Sequence, residues 1–254
     1  MDILFSGGDL LSVEILKKII DESDNIVFFG GAGTSTESNI PDFRTADTGL
    51  YSSTGQKYAP EVMLSHSFFM NHTKEFYEFY KEKMIYKDAL PNLAHVALGN
   101  LEKRGKLKAI ITQNIDGLHQ RAGSKNVLEL HGSVYRNYCM DCREKYSLDI
   151  VTQSSEVVPK CIKCGGIIKP DVVLYEEGLD NYTIQRAVEY IANADVLIVG
   201  GTSLVVYPAA GLIEYYRGNK LILINKSTTA YDNRANLLIQ DSIGKVLNVA
   251  IGEL

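Results

Sequence analysis

A short apolar run, Ile26-Val27-Phe28-Phe29, breaks into the turn Gly31-Ala32-Gly33. The run reads as a buried strand. The glycines behind it carry no Cβ, so bare main-chain N–H groups can approach an anion closely. That combination predicts an α/β chain whose strand ends meet a phosphate-bearing ligand. The continuation, Thr34-Ser35-Thr36-Glu37-Ser38-Asn39-Ile40-Pro41-Asp42-Phe43-Arg44, is unusual. A plain phosphate loop runs straight into a long helix. Here the chain reaches Pro41 within a turn or two and then sets an aromatic beside a cation. The pattern points to a site that holds a nucleotide and also does chemistry on it.

The same strand-and-turn rhythm recurs downstream. Lys108–Thr112, Val127–Leu130, Asp195–Val199 and Leu221–Ile224 are further strand candidates. Helical spacing of apolar residues appears between Asp9 and Ser23, at Leu10, Val13, Leu16, Ile19 and Ile20. Residues 66–86, rich in Phe and Tyr, also read as helical. Pro91 is expected to open a helix that runs to about Arg104 and stops at Gly105. Short apolar strands alternating with helices predict a doubly wound α/β fold, a parallel sheet covered on both faces. Its ligand crevice lies at the carboxyl ends of the strands. Residues 45–60 are polar, contain glycine and show no period, as expected of a lid-like loop.

With 254 residues, 45% of them hydrophobic, the chain can bury one large core and a smaller one. Its net charge of −5 disfavours a dedicated nucleic-acid binder and suits a basic protein tail as substrate. The first ten residues lack a basic segment and a sustained apolar core, and no apolar run is long enough for a bilayer. The expectation is a soluble cytoplasmic protein with no membrane partner.

The four cysteines interrupt the strand-helix rhythm between Tyr138 and Pro170. They fall as Cys139-x-x-Cys142 and Cys161-x-x-Cys164, with eighteen residues between the pairs. Two such knuckles pre-form a tetrahedral thiolate site for zinc. Two disulfides or two redox pairs are the bland alternatives, and a reducing compartment disfavours them. With all four positions filled by Cys the metal has no open coordination site, so its role is structural.

Three other strand-end segments are polar: Thr112-Gln113-Asn114-Ile115-Asp116-Gly117-Leu118-His119, His131-Gly132, and Gly200-Gly201-Thr202-Ser203-Leu204. Each has an ordinary reading. Gly-x-Gly occurs in many turns, a lone His is more often packed than catalytic, and Thr202-Ser203 can cap a helix. Thr36 stands where a dehydrogenase fingerprint has its third glycine, and no acidic residue closes a second strand about twenty residues on. A hydride-transfer enzyme is a poor fit.

Taken together in this order, from about residue 26 to 247, these segments and the four-Cys module resemble the sirtuin family, NAD-dependent protein lysine deacylases. The resemblance implies a Rossmann-like domain (residues 1–44, 88–135 and 171–254), a helical and loop part of a small domain (45–87) and a zinc module (136–170). It implies a reaction in which the acyl oxygen of an acetyl-lysine attacks C1′ of the nicotinamide ribose, nicotinamide leaves, and the acyl group passes to ADP-ribose. His131 matches the general base and Asn114 the residue that orients ribose hydroxyls or a water. Ile115 and Asp116 match the nicotinamide pocket, Gln113 the nicotinamide ribose contact, and Phe43 the cover over the reacting ribose. Arg44, Ala32, Gly33, Thr36, Thr202 and Ser203 match the diphosphate path, Asn225 the adenine ribose contact, and Ser242 and Ile243 the last adenine contact. The substrate peptide is expected between Val172–Glu177 and Ser203–Tyr207, with Val173 and Tyr175 lining the acyl-lysine tunnel.

Three departures from the family pattern stand out. Asn39 and Glu176 replace glycines, and Ser242 replaces a frequent acidic residue. Asn tolerates a left-handed backbone; Glu176 is expected to add a carboxylate beside the peptide groove and favour a basic substrate. The stretch Tyr77-Glu78-Phe79-Tyr80 lacks the Arg of family members that remove acidic acyl groups, so acetyl or apolar acyl groups are expected. Mono-ADP-ribosyl transfer to protein and a non-catalytic NAD or ADP-ribose binding module are the alternative functions.

Overall fold

A computed structural model describes residues 7–42 and 58–252. The expectations for Phe43 and Arg44, and most of the 45–60 loop, lie outside the described residues. The chain opens with α1 (Gly7–Asp21) and β1 (Ile26–Gly30), followed by two 3-10 turns at Ala32–Thr34 and Thr36–Ser38. The second described stretch opens with three helices: α2 (Pro60–Met63), α3 (His66–Asn71) and α4 (Thr73–Lys83). Then follow α5 (Leu93–Lys103), β2 (Leu107–Thr112), α6 (Leu118–Arg121) and β3 (Val127–Glu129). The cysteine region holds β4 (Gly132–Cys139), β5 (Lys145–Tyr146), α7 (Asp149–Thr152) and β6 (Ile168–Val172). The chain ends with α8 (Asn181–Asn193), β7 (Val196–Gly200), β8 (Leu221–Ile224), β9 (Leu237–Ile239) and α9 (Ile243–Ile251).

Six strands form one parallel sheet in the order β3-β2-β1-β7-β8-β9. The order reverses between β1 and β7, so the crevice of this doubly wound sheet opens beyond Gly30 and Gly200. Strand side chains alternate between two cores. Ile26, Phe28, Ile110 and Ile198 pack with α1, α5 and α9, while Val27, Phe29, Ile111 and Val199 pack with α8 and the 3-10 segment Ala209–Tyr215. All ten residues of β1 and β7 are buried, which is why both read as unbroken apolar runs.

The second sheet is antiparallel, β5-β4-β6. β4 runs across residue 135 and β6 across residue 170, so the chain passes between the two regions within strands. An aromatic cluster from α3 and α4 (Phe68, Phe69, Phe76, Tyr77, Phe79 and Tyr80) packs against Val134, Val172 and Leu174 of this region.

The structure corrects several expected boundaries. The helical stretch over 66–86 is two helices, broken at His72 (φ −134°, ψ 46°). Asn71 Nδ2 and Thr73 Oγ1 donate to the carbonyls of Ser67 and Phe69, the local competition by which polar side chains interrupt a helix ladder. Pro91 does not open α5. Asn92 does, accepting from Ala94 N–H and His95 N–H while its own N–H donates to His95 Nδ1. The stop at Gly105 (φ +75°) is as expected. β9, and the pairing of β4 with β6, carry no period strong enough to be read from the sequence. No helix among the described residues is long and apolar enough to cross a membrane.

Candidate active site

The glycine loop after β1 meets the loop after β7 backbone to backbone. Gly33 N–H donates to Gly201 O at 2.8 Å. A Cβ on Gly33 would lie 2.8 Å from Gly201 Cα, and Gly201 itself has φ +61°. Only glycines allow this approach. Ala32 and Gly33 are half-buried in the first 3-10 turn, and Thr36 Oγ1 donates to Gly33 O at 3.0 Å. Asn39 closes the second turn in the left-handed region (φ 61°, ψ 25°), so the turn survives the loss of glycine there.

Beyond β2, a chain of hydrogen bonds fixes three polar residues. Asn114 Nδ2 donates to Ser35 Oγ at 3.0 Å, and Ser35 Oγ donates to Asp116 Oδ2 at 2.7 Å. Asp116 Oδ1 also accepts from Leu118 N–H at 2.9 Å. Burial raises the Asp116 carboxyl above its ordinary range, with the Ser35 and Leu118 bonds opposing that rise. Ile115 is partly buried against the aromatic cluster. Gln113 lies across the crevice: its Nε2 donates to Thr202 Oγ1 at 3.1 Å, tying the β2 end to the β7 end.

His131 Nδ1 lies 2.9 Å from Gln113 O. A carbonyl only accepts, so Nδ1 carries the proton and Nε2 keeps its lone pair. Burial lowers the His131 pKa, and the Gln113 bond offsets part of that effect. The imidazole is therefore neutral at pH 7 and suited to take a proton. The Gln113 bond fixes the tautomer that a general base requires.

Thr202 N–H donates to Asn225 Oδ1 at 3.0 Å, and Thr202 Oγ1 accepts from Leu204 N–H. The next helical segment starts only at Ala209, so Thr202 and the exposed Ser203 do not cap it. Asn225 is 7% exposed and its Nδ2 has no partner among the described residues. A buried orphan donor beside two glycine loops fits a polar ligand such as a dinucleotide. Ser242 is the N-cap of α9, and Ile243 spends its side chain packing on Gly200.

Sequence reasoning missed Glu37. Its Oε1 accepts from Ser242 Oγ at 2.5 Å and from Gly244 N–H at 3.0 Å, joining the glycine loop to the start of α9. The partners are more than two hundred residues apart in the chain, and no local pattern announces the contact.

On the far side, Val173 N–H donates to His131 O at 3.0 Å, so the expected peptide segment is bonded to the candidate base itself. Val173 is half-buried and Tyr175 is 38% exposed. In the facing loop, Leu204 is buried whereas Val205 and Tyr207 are exposed. The Glu176 backbone is left-handed (φ 76°), the region glycine favours, and its carboxylate is tied to the start of α3. It accepts from Ser67 N–H and Ser67 Oγ at 2.8 and 2.9 Å, two neutral donors that orient the carboxylate and leave its charge in place. Tyr77 and Tyr80 are both fully buried, and Tyr77 donates to Ile168 O. A cavity of about 780 Å³ borders the glycine loop at Glu37, Ser38 and Asn39 and continues along residues 85–91. It lies away from His131 and Asn114, so the hydrogen-bonded groups locate the chemistry better than this void.

The four cysteine sulfurs lie within 4.8 Å of one another. Cys139–Cys164 and Cys142–Cys161 are 3.5 and 3.6 Å apart, too far for disulfides. Tetrahedral zinc with Zn–S near 2.3 Å requires sulfurs about 3.8 Å apart, so the donor set fits that ion.

The chain matches the Sir2 family over residues 31–208. It is 69% identical over 237 residues to an NAD-dependent protein deacetylase of Clostridium acetobutylicum, covering 93% of this chain and 96% of that one. It is 67% identical over 240 residues to the Clostridium tetani protein of the same name, covering 94% and 97%. Among solved structures, a Sir2 complex with a p53 peptide and NAD+ superposes with a TM-score of 0.81 at 40% identity, covering 93% of this chain and 95% of that one. Sir2Tm bound to a propionylated peptide gives 0.80 at 40% identity, covering 91% and 93%. With its Rossmann-like parallel sheet, its four-Cys zinc module and a match across most of its length, the chain belongs to the Sir2 family.

Proposed function

We infer that this chain is an NAD-dependent protein lysine deacetylase, moving the acetyl group of a lysine to ADP-ribose with release of nicotinamide. The observation that carries the reading is His131, held by Gln113 as a neutral base beside the Ser35–Asp116–Asn114 network. Mere binding of NAD needs no such base. Bound NAD supplies the electrophilic ribose carbon and the hydroxyls that receive the acyl group.

The chain's own residues divide the remaining work. Ala32, Gly33, Thr36, Thr202 and Ser203 hold the diphosphate, with N–H groups offered by the glycine turn. Asn225 Nδ2 binds the adenine ribose, and Ser242 and Ile243 close the adenine end. Gln113 contacts the nicotinamide ribose, while Ile115 and Asp116 hold the carboxamide. Asn114 orients the hydroxyl from which His131 Nε2 takes a proton. Val173 and Tyr175 flank the acyl-lysine, and the peptide pairs with Val172–Glu177 and Ser203–Tyr207. The cysteines hold one structural zinc. Residues 1–44, 88–135 and 171–254 act as the NAD-binding domain, and the peptide lies where it meets the small domain.

The test is to incubate the protein with NAD and an acetyl-lysine peptide and follow products by mass spectrometry. Equal amounts of free lysine peptide and O-acetyl-ADP-ribose are expected. Intact NAD across several acyl peptides would sink the reading, and label passing from NAD to protein would replace it with ADP-ribosyl transfer.

A further inference from the structure

Two adjacent glutamates fasten the expected peptide segment to the start of α3. Glu176 reaches Ser67, whose N–H and Oγ both donate to its carboxylate. Glu177 turns the other way and gathers three donors: His66 Nδ1 at 2.8 Å, Lys169 Nζ at 3.1 Å and Leu174 N–H at 2.9 Å. Burial disfavours its charged form, yet the Leu174, His66 and Lys169 bonds together hold its pKa below the ordinary glutamate value. Lys169 is 5% exposed and also donates to the carbonyls of Pro170 and Val172. The main chain adds two bonds, Tyr175 N–H to Leu64 O and His66 N–H to Tyr175 O.

These contacts matter because of what the segment touches at its other end. Val173 N–H is bonded to His131 O, so a shift of the segment shifts the base. Glu176 itself takes a left-handed backbone that costs a non-glycine residue about 1–2 kcal/mol. The side-chain bonds from Ser67 offset that strain.

We propose that Glu176 and Glu177 are positioning residues for the acyl-lysine peptide, setting the register of Val172–Tyr175 against His131 by anchoring it to Ser67, His66 and Lys169. The proposal rests on the reading that this segment pairs with the peptide. It makes α3, far from the cofactor in sequence, part of the substrate-binding apparatus. It also gives the unusual Glu176 a purpose other than attracting basic residues.

Glu177→Gln and Glu176→Gly test it in the full-length protein, with steady-state kinetics on an acetyl-lysine peptide and NAD, and thermal melts alongside. Removing a charge-assisted bond at Glu177 is expected to raise the peptide KM about tenfold. Glu176→Gly is the sharper probe. It relieves the backbone, so a merely structural role predicts an unchanged or higher Tm and an unchanged peptide KM. The expected result is a several-fold rise in peptide KM without a fall in Tm, and with the NAD KM unmoved. The double variant Ser67→Ala/Glu176→Gly should show less than additive loss, since both changes remove one contact. A peptide KM unchanged in both Glu176→Gly and Glu177→Gln overturns the proposal. Hydrogen exchange over 172–177 on the wild-type protein separates this outcome from failure of the underlying reading. If acetyl-lysine peptide slows exchange there, the segment binds peptide and only the anchoring idea has failed. If it does not, the pairing itself is wrong.

Discussion

The two sheets of this protein are held together by different forces. In the six-stranded parallel sheet, β1 and β7 are buried along their whole length and both faces carry helices. Each fully buried Ile, Val or Phe there contributes roughly 1.5–3 kcal/mol, so the sheet stands on apolar area. Among the described residues, the three-stranded sheet has a small core of its own, Cys139, Cys161 and Ile168, with Tyr146 and Ile150 against it. Such a core is too small to hold three short strands. Four thiolates at zinc spacing and the aromatic cluster of α3 and α4 replace the missing area. The residues proposed to hold the cofactor lie at the carboxyl ends of the first sheet's strands. The proposed peptide segment lies between the two, bonded to His131 on one side and to the start of α3 on the other.

Metal removal is the strongest way to break this contrast. Chelation, or Cys161→Ala, is expected to remove on the order of 10 kcal/mol of local binding energy. Hydrogen exchange should then become fast in β4 and β6 while β1, β2 and β7 stay protected. Simultaneous loss of protection in both sheets would show that they do not differ in this way.

His131→Ala should cost about 10²–10⁴-fold in turnover, measured as O-acetyl-ADP-ribose formed, with NAD binding and Tm close to wild type. A large drop in Tm instead would assign His131 to the structure of the first sheet. The same residue predicts a pH profile. Its lowered pKa places the acid limb of kcat/KM below pH 6.5, because the base works only when neutral.

Beneath the first sheet lie two other histidines. His95 and His119 are 0% and 1% exposed, with ring centroids 4.7 Å apart. Burial lowers His95 to about 4, and burial plus the His95 charge lowers His119 well below its usual value. The unfolded chain therefore binds protons below pH 6.5 that the folded chain refuses. Stability should fall as pH drops from 6.5 through about 4, by up to about 1.4 kcal/mol per pH unit for each histidine. Urea melts at pH 7, 6 and 5 should show this slope, and His119→Phe should flatten it; an unchanged slope would place the acid sensitivity in other groups.

The smallest effect is expected at Asn39→Gly. Its left-handed backbone favours glycine, so Tm should rise slightly, by the equivalent of about 0.5–1 kcal/mol. A fall in Tm would mean that the Asn39 side chain stabilises the loop.

The sequence was most legible where local chemistry decides the outcome. Ile26–Phe29, Leu221–Ile224 and the glycine turn were readable because buried parallel strands are continuous apolar runs and because close backbone approach demands glycine. The cysteine spacing announced its donor set for the same reason, since a tight turn places each pair. Pro91 misled, because Asn92 offered better capping bonds one residue later. Glu176 is more instructive. As a residue type it is a charge, and only its neighbour in space makes it an anchor.

The sequence by itself thus determined the strands, the turns, the zinc knuckles and the catalytic candidates along the chain. Tertiary structure alone decided which lone pair His131 keeps, that Glu176 is anchored to Ser67, and that Glu37 closes on the start of α9. The physical reason is range. Backbone preference and apolar periodicity act within a few residues, whereas a hydrogen bond between Glu37 and Ser242 exists only after the sheet has brought the two ends of the chain together.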